Sequence, residues 1–138
     1  MTAIFLWLGG GIFVMLGFVH ALYTLLDTLN PRRIVPADLA LIEAMKANPV
    51  RLAHGGTDMW NAWVGFNLSH SIGAILFGGV CIYLGVMTEV YIVPSNLVLL
   101  PVLVGGLYLA LAVRYWFRIP VIGCTLAFAS FIAAWVFA

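Results

Sequence analysis

Four stretches of this chain are each long and apolar enough to fill the hydrocarbon core of a bilayer, and that limits its folding more than any motif does. They run from about Ala3 to Leu26, Trp60 to Val86, Leu97 to Phe117 and Pro120 to Ala138, and a spanning helix needs roughly 20 apolar residues. Strands are excluded because the runs exceed strand length and do not alternate. A membrane barrel of this size would need about eight short alternating segments. With 64% hydrophobic and 8% charged residues and a mean hydropathy of +1.13, the chain has too few polar groups to cover a water-facing surface. The expected fold is an all-α integral membrane protein, a single domain over residues 1–138. It has four transmembrane helices (about 3–27, 59–87, 96–117 and 120–138) in an antiparallel bundle, plus a short cytoplasmic interfacial helix within the connection 28–58.

The first span lacks a basic leader and ends in Asp27 rather than a small-residue cleavage site. It is expected to stay in the mature protein. All 6 Lys and Arg residues lie in two places: Arg32, Arg33, Lys46 and Arg51 in the first connection, and Arg114 and Arg118 at the end of the third span. Both fall on one side of a four-span protein, so the positive-inside bias makes that side cytoplasmic and puts both termini on the other. Arg114 and Arg118 then read as topology and headgroup anchors. The net charge of +1 gives no reason to expect nucleic-acid binding. Cys81 and Cys124 lie inside spans without a Cys-x-x-Cys pair, which argues for apolar packing and against a thiol oxidoreductase.

Within the first connection, Asn30-Pro31 and Pro36 break the first span, since proline disfavours helical geometry in the residue before it. A short helix is expected from Leu39 to Ala47, capped by Asp38 and stopped at Asn48-Pro49. Leu39, Ile42 and Met45 share a face, while Glu43 and Lys46 can pair, as suits a helix lying on the membrane. Thr57 or Asp58 is available to cap the second span. Trp60 and Trp63 follow at headgroup depth. Ile119-Pro120 is expected to turn the chain between the third and fourth spans.

Polar residues inside a membrane are costly and mark candidate sites. At 100° per residue, Gly9, Phe13, Gly17, His20, Thr24 and Asp27 share one face of the first helix, and Trp60, Trp63, Asn67, His70, Ser71, Ala74 and Gly78 share one of the second. Small residues allow close approach and polar ones must face protein or water, so these two faces are expected to meet. Counting inward from Asp27 and Asp58, His20 lies roughly 10 Å deep, Asn67 roughly 13 Å and His70 roughly 18 Å. The expected site is a polar vestibule formed by His20, Thr24, Asp27, Trp63, Asn67, His70 and Ser71, with Asp58 and His54 near its mouth.

Several uses suit such a vestibule. The leading expectation is a site for a hydrophobic ligand, cofactor or metal between the first and second spans. His20 and His70 are candidate metal ligands, although no helical pair has the i, i+3 or i+4 ligand spacing of a motif such as His-Glu-x-x-His. A haem held by both histidines is disfavoured by their offset in depth. Acid/base catalysis on a lipid-like substrate would use either histidine as base, with Asp27 orienting it and Asn67 polarising a carbonyl. A proton relay lacks groups to continue outward from His70. Against all of these stands a structural role, in which the histidines hydrogen-bond across helices, and with it an accessory subunit that does no chemistry. Membrane lipids are expected partners, with a homo-oligomer or a larger membrane complex as the assembled form.

Two runs, HALYTLLD from His20 to Asp27 and MWNAWVGFNLSHS from Met59 to Ser71, resemble a group of short, uncharacterised bacterial four-helix integral membrane proteins. The resemblance covers the first two spans and their connection. It implies a bacterial inner-membrane protein and supplies no activity, cofactor or catalytic residue.

Overall fold

The computed structural model describes residues 1–138, Ala53 by its backbone alone. Five α-helices follow one another: α1 (Thr2–Leu29), α2 (Leu39–Ala47), α3 (Met59–Val90), α4 (Ser95–Tyr115) and α5 (Arg118–Val136). All but α2 are long and apolar enough to cross a membrane. These four helices suggest a multi-pass membrane protein. Leu8, Met15, Leu76, Val80, Leu103, Leu107 and Leu126 are exposed, an arrangement that suits hydrocarbon as the surrounding medium.

The boundary between α4 and α5 differs from the expected one. The chain turns at Trp116-Phe117, both in extended geometry, and Arg118 and Pro120 lie in the first turn of α5. Proline is accommodated there because the first-turn N–H groups have no intrahelical acceptor in any case. A second proline, Pro101, lies buried inside α4, a position tolerated in membrane helices when neighbours cover the gap in the ladder.

The chain groups into two compact units, residues 1–16 with 74–138, and residues 17–73. The core of the first is aromatic. The Phe13 ring meets Phe77 edge-on at 4.8 Å and Tyr108 at 5.0 Å, and Phe131 lies at 6.1 Å from it. Gly9 and Gly105 make room for Phe131: a Cβ on Gly9 would collide with that ring, and one on Gly105 would come within 2.9 Å of it. Gly10 and Gly78 oppose each other, and a Cβ on Gly10 would lie 2.6 Å from the Gly78 carbonyl oxygen. Small residues here let α1 and α3 approach backbone to backbone. Further along, Gly85 lies under Trp7, whose indole N–H donates to the Ile82 carbonyl at 3.2 Å. Cys81 and Cys124 are buried free thiols within this unit, in keeping with a packing role.

The second unit is built around the first connection. Asp38 accepts from Ala40 N at 2.9 Å to start α2, Asn48 ends it, Ile42 is its buried residue, and Lys46 pairs with Glu43 at 2.8 Å. A two-bond bridge then closes the loop before α3, with Val50 N donating to Thr57 O and Met59 N to Asn48 O, each at 2.9 Å. The reversal between these bonds uses His54 and Gly55 at φ +48 and +87, left-handed geometry that glycine adopts freely and other residues rarely. Asp58 caps α3 by accepting from Asn61 N at 2.7 Å.

Candidate functional site

The polar residues singled out on α1 and α3 come together in the second unit, and a chain of hydrogen bonds orders them. Asn67 comes first. Its Nδ2 donates to the Trp63 carbonyl one turn back at 2.8 Å. A carbonyl oxygen can only accept, so this bond fixes the amide's orientation and leaves Oδ1 facing His20 Nε2 at 2.9 Å. Oδ1 is also an acceptor only, so Nε2 carries the proton and donates. Asn67 therefore sets both the position and the tautomer of His20.

His70 belongs to the same cluster. Its ring meets that of His20 edge to face, with centroids 5.5 Å apart. The count of rises puts it deeper than His20, at roughly 18 Å against roughly 10 Å. That depth count follows Cα positions alone, whereas helical side chains lean toward their own N-terminus. His70 lies three residues beyond Asn67, about 4.5 Å of rise, an interval that such a lean shortens.

Thr24 and Ser71 are fully buried, but each hydroxyl turns to its own helix. Thr24 Oγ donates to His20 O at 2.9 Å and Ser71 Oγ to Asn67 O at 2.8 Å. Their role is to fill the space behind the histidine and the asparagine without leaving an unpaired polar atom. Trp63 contributes its backbone carbonyl to Asn67, while its ring stacks on Trp60 at 5.3 Å. Lys46 Nζ lies 5.9 Å from the Trp60 ring, a cation–π contact that ties α2 to the start of α3. Sequence spacing carried no signal for it, because the two residues are 14 positions apart on different helices.

Asp27 faces the chain that follows it. Oδ1 accepts from Arg32 N at 3.0 Å and Arg33 N at 3.1 Å, with Arg33 Nη1 at 3.4 Å, and Oδ2 accepts from Ile34 N at 2.9 Å. Four donors thus converge on the carboxylate, three on Oδ1 and one on Oδ2. This fully buried side chain holds the turn after α1 through consecutive backbone amides, an anion-binding nest filled from within the chain. Arg33 also lies over the Tyr23 ring at 5.7 Å. Asp58 is likewise engaged as a cap, with Oδ2 accepting from Asn61 Nδ2 at 2.7 Å.

These commitments bear on the ligands the cluster suits. Among the described residues, no three His, Cys, Asp or Glu side chains gather closely enough to hold a metal ion. His20 and His70 form a pair only, and one ring nitrogen of that pair is bound to Asn67. Their direct ring contact leaves no slot for a macrocycle between them. The arrangement suits hydrogen bonding to one polar group of an otherwise apolar molecule.

No known protein family, curated protein or solved structure matches the chain. The functional reading therefore rests on residue chemistry.

Proposed function

We propose that this is a small multi-pass protein of a bacterial inner membrane that binds a hydrophobic ligand through the His20–Asn67–His70 cluster. The observation that carries this reading is the edge-to-face contact of two half-buried imidazoles at 5.5 Å, one of them oriented by Asn67, on two helices long and apolar enough to cross a membrane. Ionisable side chains at such positions are costly to place in a membrane. An antiparallel four-helix bundle is supported by the order of contacts between α1 and α3, since Trp7 meets Gly85 while Gly10 meets Gly78. A cytoplasmic first connection with both termini on the opposite side follows from the grouping of basic residues, and the bacterial inner membrane follows the resemblance of the two quoted runs.

Purification in mild detergent followed by native mass spectrometry tests the ligand. A bound small molecule that is present in the wild-type protein and lost in folded His20→Gln and His70→Gln variants is the expected result. Equal occupancy in all three would remove the cluster from the reading.

A second reading, as an accessory subunit or self-associating protein, is favoured by Gly11, Gly65 and Gly79, where an added Cβ would meet nothing within 4 Å. Such flat helical surfaces let another helix approach closely. A stoichiometric larger partner in the same purification supports the accessory role, a homo-oligomer supports self-association, and a monomer counts against both.

A further inference from the structure

The acidic side chains are few enough to be accounted for one by one. Of the 5 Asp and Glu residues, Asp27 holds the turn after α1, Asp38 and Asp58 cap helices, and Glu43 pairs with Lys46. The last, Glu89, lines a cavity with Val98 and Phe137. Arg114 lies roughly 24 Å further along α4 than Val98 by helical rise, too far to pair with Glu89. Residues 90–138 contain no Asp or Glu, and among the described residues the ion pairs are Arg33–Asp27 and Lys46–Glu43. Arg114 and Arg118 therefore bracket the α4–α5 turn as two uncompensated positive charges. The first connection differs, because Arg32, Arg33, Lys46 and Arg51 there are matched in number by Asp27, Asp38, Glu43 and Asp58.

Both arginines are exposed, and so are Tyr115, Phe117 and Ile119 beside them. Arg114 lies over the Tyr115 ring at 5.2 Å, a contact through the face of the guanidinium that does not consume its N–H donors. Cations flanked by exposed aromatic and aliphatic groups suit the level where phosphates meet acyl chains in a bilayer. A guanidinium also matches two phosphate oxygens at once. We propose that the α4–α5 turn is a selective site for an anionic phospholipid, with Arg114 and Arg118 on the headgroup and Tyr115, Phe117 and Ile119 along the start of its acyl chains. A simple anchor accepts any phospholipid, since each carries a phosphate. This site discriminates, because a zwitterionic headgroup brings an ammonium that the two unpaired arginines repel. It is independent of the His20 cluster.

For the test, the full chain in mild detergent is offered phosphatidylglycerol and phosphatidylcholine with the same acyl chains, and native mass spectrometry counts the lipid retained. Phosphatidylglycerol is expected to bind about thirtyfold more tightly, the factor that two arginines at about 1 kcal/mol each supply. In Arg114→Gln/Arg118→Gln the preference should fall toward unity, whereas Arg32→Gln/Arg51→Gln should keep most of it. Equal retention of the two lipids by the wild-type chain would overturn the proposal. So would a preference lost equally in both double variants, which would make it a property of net charge alone. A second measurement needs no variant: phosphatidylglycerol with a diazirine in its headgroup should cross-link to the wild-type chain chiefly within residues 114–119, and adducts concentrated elsewhere would overturn the assignment.

Discussion

His20 Nε2 and Asn67 Oδ1 are joined across 2.9 Å by a hydrogen bond between α1 and α3 whose direction is dictated by a second bond, from Asn67 Nδ2 to Trp63 O. Residues 47 positions apart in the chain are thus linked across two helices.

That link should be measurable as a coupling. In a double-mutant cycle with His20→Ala and Asn67→Ala, thermal unfolding in detergent is expected to give an interaction energy of about 1 kcal/mol, the scale of interhelical hydrogen bonds in membranes. Additive effects would mean that the bond contributes nothing to stability.

Asp27 should matter for stability out of proportion to its single charge. Asp27→Asn exchanges one acceptor oxygen for an amine that faces a donor, so a loss of about 2 kcal/mol is expected, with faster hydrogen exchange at Arg32, Arg33 and Ile34. Arg33→Ala should cost only a few tenths of a kcal/mol, because its 3.4 Å pair with Asp27 involves a side chain that is 37% exposed. A larger effect at Arg33 than at Asp27 would reverse this assignment.

The glycines of α1 and α3 should divide sharply by position. Gly10→Ala and Gly78→Ala press a methyl group against the backbone of the opposing helix and should each cost about 1–3 kcal/mol. Gly11→Ala and Gly79→Ala meet nothing within 4 Å and should stabilise by about 0.5–1 kcal/mol through helix propensity alone. Melting temperatures of the four variants in one detergent check the contrast.

Orientation is open to cysteine labelling, because both native thiols are buried and should react slowly. Ile92 and Leu52 are both exposed, on different connections. A membrane-impermeant maleimide added to intact spheroplasts should label Ile92→Cys and should label Leu52→Cys only after permeabilisation. The opposite pattern would invert the topology.

What can be read along the chain is what local chemistry governs. The bounds of α2 follow from Asp38, which has an amide to cap two residues on, and from Asn48-Pro49, where a proline excludes helical geometry from the residue before it. The four long helices follow from runs of apolar residues that have few other ways to satisfy their backbone in a membrane. The joining of α1 and α3 through His20 and Asn67 also follows, since a polar stripe on an apolar helix needs a partner. Even the misplaced turn at Pro120 is a local matter, because proline both ends helices and begins them.

Other features depend on distances between helices, and periodicity does not carry these. The contact of His20 with His70 required the lean of side chains along their helices, which a count of rises omits. The engagement of Asp27 required the chain to fold back on it within seven residues, so that Arg32, Arg33 and Ile34 present their amides to one carboxylate. The Lys46–Trp60 contact and the opposition of Gly10 to Gly78 required the packing itself. By itself, then, the sequence determined how many helices form, where most of them stop and which faces are polar, because those depend on neighbours in the chain. Only the tertiary structure decided which polar groups are already satisfied, Thr24, Asp27 and Ser71 among them, because hydrogen bonds form over about 3 Å and such distances are set by packing.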